Sequence, residues 1–154
     1  MARIACPADT PIGTFTAIYE DGVIKRVLFP GETPGADVLR FDGSLPFAAQ
    51  IAEYFEGTRK AFDLPIFLPG TEFRRNVYKA TIAIPYGCVA AYSEVALAAG
   101  YPLAMRAVGT AMRDTPLPLI IPCHRVVHKS EKKSMYRGGV DMKRYLINME
   151  RAYM

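Results

Sequence analysis

The chain has 154 residues, 51% of them hydrophobic and 22% charged, with a net charge of +4. That length suits one domain or two small lobes, and that balance excludes a disordered chain. The longest apolar stretches contain prolines and fall far short of a membrane span. No continuous apolar segment follows Arg3 as it would in a secretory signal.

These features predict a protein of the cytoplasm, or of the nucleus in a eukaryote. The three cysteines, Cys6, Cys88 and Cys123, are far apart and odd in number, which argues against a disulfide framework and for a reducing compartment. The only histidines are His124 and His128, so no Cys/His cluster has zinc-site spacing; neither a metal nor a cofactor is expected. Charge is uneven: residues 1–70 carry six Lys/Arg against nine Asp/Glu, and residues 71–154 thirteen against six. A basic half points to an anionic partner, nucleic acid first, although a soluble surface with uneven charge reads the same way.

Taken in order, Thr14 to Phe29 alternates apolar and polar residues around Asp21-Gly22, the signal of a β-hairpin. Residues 30–45 are rich in Gly, Pro and Asp and read as loop. Pro46 to Phe55 has helical spacing and stops at Gly57, and Ala61 to Leu68 reads as a strand. Nothing up to residue 68 looks catalytic. After Pro69-Gly70, Thr71 can cap a helix running to about Ile84, which Pro85-Tyr86-Gly87 ends. Ser93 to Ala99 is a short helix closed by Gly100, and Leu103 to Arg113 is a second one. This is the pattern of a helix-turn-helix, although two adjacent short helices serve packing as readily as DNA. Pro116 and Pro118 forbid a helix and Leu119–Ile121 reads as buried. A Lys, Ser and Gly loop spans 129–139. Val140 to Met154 is an amphipathic helix, with Val140, Tyr145, Leu146 and Met149 expected inside and Lys143, Arg144 and Arg151 in water.

The run Ile121-Pro122-Cys123-His124-Arg125-Val126-Val127 puts a thiol beside an imidazole, the usual means of making a nucleophilic thiolate. A lone buried cysteine is ordinarily inert, and that reading suits Cys6 and Cys88. Chain neighbours in an extended segment point opposite ways, so Nε2 of His124 is expected to need a bridging water to reach the sulfur. A carboxylate would orient the imidazole; Glu150 is the candidate, with an ordinary exposed helical glutamate as the alternative.

Ile84-Pro85-Tyr86-Gly87, Ala91-Tyr92-Ser93-Glu94-Val95-Ala96, Arg106-Ala107-Val108-Gly109 and Pro116 through Val127 together resemble the O6-alkylguanine-DNA alkyltransferases, also called methylated-DNA–protein-cysteine methyltransferases. The resemblance runs from about Phe73 to Glu150. It implies a two-lobed α+β fold: a small mixed lobe with a β-hairpin over 1–68, and a helical DNA-binding and alkyl-transfer lobe over 69–154 with a winged-helix-like helix-turn-helix.

It further implies a monomeric DNA-repair methyltransferase that flips O6-alkylguanine out of duplex DNA from the minor groove and moves the alkyl group irreversibly to Cys123, once per molecule and without a cofactor. His124 would deprotonate Cys123 through a water, Glu150 would orient His124, and Tyr136 would donate to the base. Arg106 would replace the flipped nucleotide and Tyr92 would crowd its phosphate. Ala104, Ala107, Gly109 and Arg113 would meet the backbone, and Tyr136, Arg137, Val126 and Met112 would form the base pocket. Three positions depart from the family's usual pattern: Thr115 where Asn is common, Arg137 in a Gly/Ser-rich loop, and Tyr78 in place of a frequent Trp. Two other readings use the same residues. One is an alkyltransferase-like protein that flags damage without repairing it, a group that lacks the cysteine. The other is a hydrolytic Cys-His enzyme, which would turn over.

Overall fold

A computed structural model describes residues 3–128 and 136–154. The chain divides into two compact units, residues 1–68 and 69–154.

In the first unit, β1 (Arg3–Thr10), β2 (Gly13–Glu20), β3 (Val23–Leu28) and β4 (Val38–Phe41) form one sheet in the order β3-β2-β1-β4. The hairpin lies where the sequence puts it. Asp21 and Gly22 both take positive φ, 53° and 77°, the pair of left-handed residues that a two-residue turn between twisted strands requires. β4 pairs parallel to β1 inside the stretch read as loop; three of its four residues are exposed, so no alternation betrays it. The strand expected over 61–68 shrinks to a single bridge between Ile24 and Ile66, closed by Ile24 N–H to Pro65 O (2.8 Å) and Phe67 N–H to Ile24 O (3.0 Å). α1 (Pro46–Glu56) packs on β1 with Phe47, Ile51, Tyr54 and Phe55 inward. Ala5, Ile18 and Leu28 form a separate buried cluster with Val38 against it.

The second unit is helical. Thr71 caps α2 (Glu72–Ile82) as expected, its hydroxyl accepting from Arg74 N–H. α3 (Tyr92–Ala98) and α4 (Met105–Arg113) are the expected helix pair and pack on each other and on α2. Gly100, at φ 92°, ends α3: its N–H reaches Leu97 O (3.0 Å) and the next N–H reaches Ala96 O (2.9 Å), a closed left-handed C-terminal turn. Tyr78 fills the space between α2 and α4 and donates its hydroxyl to Ala111 O (3.1 Å). Two short strands, β5 (Ala90–Ala91) and β6 (Val126–Val127), pair in parallel. They join the start of α3 to the residues just after His124. α5 (Val140–Ala152) closes the unit. Of the loop expected over 129–139, residues 129–135 lie outside the described part.

The face of α5 is rotated from the one expected. Leu146 and Met149 are buried as read, but Lys143 is buried with them, while Val140 and Tyr145 are exposed. Lys143, Leu146 and Glu150 stand three and four residues apart and so share one side of the helix. A buried Glu150 carries Lys143 inside with it.

Candidate active site

Pro116 and Pro118 prevent α4 from continuing, and the chain turns instead. Leu119, at φ 73° and 1% exposed, is held in the left-handed region at a cost of about 1 kcal/mol. Pro122, at φ −76° and ψ 61°, closes a three-residue turn in which Cys123 N–H reaches Ile121 O at 2.6 Å. Cys123 to Arg125 then form one 3-10 turn, so the expected extended segment is replaced by a tight coil. All three side chains are buried.

His124 and Arg125 both grip Glu150, from the far end of α5. His124 Nε2 lies 2.6 Å from Glu150 Oε2. Arg125 donates Nε to Oε1 (2.8 Å) and Nη2 to Oε2 (3.0 Å), and Gly87 N–H adds a bond to Oε1 (3.1 Å). Arg125 also donates Nη1 to Ile84 O at 2.7 Å. The Ile84–Gly87 segment is therefore the backbone wall that receives this ion pair, which is why it accompanies the Cys-His run. The ordinary exposed-glutamate reading fails, for Glu150 is 1% exposed.

The Glu150 contact settles the imidazole's chemistry. A carboxylate accepting from Nε2 fixes the proton there and leaves Nδ1 as the basic nitrogen. A water-mediated path from the imidazole to the sulfur would therefore start at Nδ1, since Nε2 faces Glu150. Burial acts to raise the Glu150 carboxyl, but the bonds and charges of His124 and Arg125 prevail and hold it well below the usual range. Burial pushes His124 down against the pull of Glu150, so the ring rests neutral.

Burial also pushes the Cys123 thiol up to about 12, opposed by the charges of Lys143 and Arg137 and by the Thr115 hydroxyl. Tyr136 is buried and its phenol is raised far above its ordinary value, by burial first and then by a charge on Cys123. It stays a proton donor. Cys123, His124, Glu150 and Tyr136 thus come together. Sequence reading missed Arg125 and Lys143. Lys143 donates to Val126 O at 2.6 Å, and its Nζ lies 5.8 Å from the Tyr92 ring. Its shared helix face with Glu150 was the available signal.

The other sequence candidates lie on or under α3 and α4. Arg106 and Ala107 are exposed near the start of α4, Ala104 precedes it half-buried, and Gly109 is buried. Arg113 is exposed at the other end and pairs with Asp114 at 3.1 Å. Tyr92 is buried at the start of α3 and, with Ser93, Met105, Val127 and His128, lines a cleft of about 310 Å³. Val126 is buried in β6. Met112 is buried towards α2, its sulfur accepting from Thr81 Oγ1 at 3.8 Å. Among the described residues no group of three or more His, Cys, Asp or Glu is placed to hold a metal ion, and no helix is long and apolar enough to cross a membrane.

The profile described as 6-O-methylguanine DNA methyltransferase, DNA binding domain, matches residues 72–152. The constitutive methylated-DNA–protein-cysteine methyltransferase of Bacillus subtilis is 44% identical over 153 residues, covering 94% of this chain and 93% of its own. This chain belongs to the methylated-DNA–protein-cysteine methyltransferase family. The inducible B. subtilis protein of that name is 40% identical over 119 residues, and the match spans 77% of this chain but only 66% of that one. A crystal structure of the Mycobacterium tuberculosis O6-methylguanine methyltransferase superposes with a TM-score of 0.88 at 34% identity, covering 99% of this chain and 94% of that one. A crystal structure of M. tuberculosis OGT in complex with DNA superposes at 0.86 and 33% identity, with the same coverage. The mixed α/β fold is that of these family members.

Proposed function

We propose that this protein repairs alkylated DNA by moving an alkyl group, methyl above all, from O6 of guanine in a duplex to Sγ of Cys123. The observation that carries the proposal is the buried Cys123 beside a histidine whose Nε2 is committed to Glu150, within a family whose members are named for methyl transfer from DNA to cysteine.

The alkyl group lies inside the stack, so the nucleotide must leave the duplex. Arg106, exposed near the head of α4, enters the minor groove and fills the gap, which offsets part of the few kcal/mol of unstacking. The small residues Ala104 and Ala107 let the helix approach the backbone, Arg113 meets phosphate, and Tyr92 helps rotate the nucleotide out. The base enters the pocket formed by Tyr136, Arg137, Val126 and Met112. His124 Nδ1 takes the thiol proton through a water, and Glu150 stabilises the imidazolium that forms. The sulfur attacks the alkyl carbon, a C–S bond forms, and the C–O6 bond breaks with its electron pair going to guanine. Tyr136 donates to the departing guanine, which leaves as the neutral base after taking up a proton. The thioether is not hydrolysed, so each molecule reacts once. No cofactor takes part, and the protein works as a monomer in the cytoplasm; its three free cysteines suit a reducing compartment.

The test is to mix the protein with a duplex carrying O6-methylguanine and map the product by mass spectrometry. The peptide containing Cys123 gains the mass of one methylene, one per molecule. Unmodified Cys123 with repeated ester or amide hydrolysis would establish the hydrolase reading instead, and tight binding of the damaged duplex without modification would establish the flagging one.

A further inference from the structure

One side chain ties the Tyr136 segment to the end of α4. Arg137 Nη1 donates to two backbone carbonyls, Arg113 O at 3.2 Å and Thr115 O at 2.9 Å. Arg113 is the last residue of α4, and its carbonyl is one of the four at a helix end with no partner inside the helix. A guanidinium there satisfies that carbonyl and sits at the negative end of the helix dipole. The side chain of Arg113 does not compete for the place, since it turns to Asp114.

Both ends of the clamp touch the site. Arg137 directly follows Tyr136, whose ring is buried. Thr115 is 1% exposed and opens the turn that leads to Cys123. At two positions where this chain departs from the family's usual pattern, 115 and 137, the residues are therefore bonded to each other. The guanidinium at 137 is spent on backbone carbonyls.

We propose that Arg137 is a positioning residue for alkyl transfer: it clamps the Tyr136 segment to the C-terminal end of α4 and so holds the phenol donor over Cys123. The proposal rests on alkyl transfer to Cys123 as the activity. It gives Arg137, besides its place in the base pocket, a positioning role that runs through Tyr136. The charges of Lys143 and Arg137 and the Thr115 hydroxyl favour a thiolate at Cys123, and the phenols of Tyr78 and Tyr136 lie within reach of its charge.

A double-mutant cycle on the full chain tests the proposal, with transfer from an O6-methylguanine duplex timed by mass spectrometry of the Cys123 peptide. Arg137→Ala should slow transfer about tenfold, an effect of the size that a small misplacement of a reacting group produces. Arg137→Lys keeps a cation within reach of the carbonyls and should recover most of the rate. In a Tyr136→Phe background, Arg137→Ala should cost clearly less than tenfold, because the donor it positions is already gone and only its charge near the thiol is lost. If Arg137→Ala does not fold, Arg137→Gln carries the same comparison. Wild-type rates in the alanine variant, failure of lysine to rescue, or a full tenfold loss in both backgrounds would overturn the clamp. Absence of methyl transfer by the wild-type protein would instead sink the proposed function itself.

Discussion

Replacing Glu150 by glutamine keeps the shape of the side chain and removes its charge, which isolates what the carboxylate does. Each carboxylate oxygen accepts two bonds: Oε1 from Arg125 Nε and Gly87 N–H, Oε2 from Arg125 Nη2 and His124 Nε2. An amide offers one oxygen and one NH2, so whichever way it turns, two donors face a donor. It also leaves Arg125, 6% exposed, as a buried cation without its counter-charge. Breaking a buried pair in this way costs about 3–5 kcal/mol, and no discount for solvent applies at 1% exposure of Glu150. The melting temperature should fall by about 10 °C or more. The tautomer changes as well. With the amide NH2 turned to His124, Nε2 becomes the acceptor and the proton moves to Nδ1, which removes the base. Methyl transfer should drop by about 10²–10⁴-fold, the usual worth of a general base. Thermal unfolding at pH 7 and the single-turnover rate read the two effects separately. A melting point within about 2 °C of wild type with a rate within about twofold would refute this account of the ion pair.

Cys123→Ala should abolish transfer and leave DNA affinity nearly intact, since phosphate contacts hold the duplex; methyl transfer persisting in that variant would refute the assignment of the nucleophile. Arg106→Ala should lose duplex repair far more than reaction with free O6-benzylguanine, because a free base needs no flipping; equal losses would make Arg106 structural. Iodoacetamide should label exposed Cys88 long before buried Cys123, with Cys123 labelling rising about tenfold per pH unit towards its value of about 12; peptide mapping that finds Cys123 labelled first would contradict the buried thiol. Acid should weaken the fold in two stages. The unfolded chain protonates histidine near pH 6.5 and glutamate near 4.3, whereas folded His124 and Glu150 resist to lower pH, so stability is full above about pH 6.5 and falls as pH drops. Urea midpoints that stay flat between pH 8 and 4 would show that neither group carries this penalty.

What the sequence reveals depends on whether the signal is local. The Asp21-Gly22 hairpin, the Thr71 cap and the Gly100 stop are local chemistry, and each helix edge falls within two residues of its expected place. Cys123 and His124 are legible because they adjoin. Glu150, 26 residues away along the chain, becomes legible through the family resemblance, since a single helical glutamate carries no mark of its partner. β4 was hidden because an exposed edge strand has no buried alternation. Lys143 was misplaced because lysine ordinarily faces water; only tertiary context, a carbonyl at Val126 and the neighbouring thiol, makes its burial tolerable. The 3-10 turn at Cys123 follows the left-handed Leu119 and the γ-turn at Pro122, which no propensity announces.

The resting charges of the site suit the proposed role of Cys123, a thiol with so high a pKa in a reaction proposed to happen once. Thiol and imidazole are both neutral at pH 7, Arg125 balances Glu150, and the buried Lys143 sits against the Val126 carbonyl. A free thiolate there would be exposed to any passing electrophile, and each such event would consume the molecule. At a value of about 12, only about one molecule in 10⁵ is ionised at pH 7. The surroundings nonetheless favour the charge-separated state that the reaction needs. Proton transfer from Cys123 to His124 creates an imidazolium against Glu150 and a thiolate under the influence of Lys143 and Arg137. Each new charge therefore meets an opposite one already in place, with no reorganisation at the moment of transfer. What holds the proton back is desolvation, and an occupied pocket changes that balance by adding the Tyr136-bound leaving group as the destination for the displaced electron pair. On the proposed mechanism the thiol thus keeps its proton until the alkylated base arrives to give up its alkyl group.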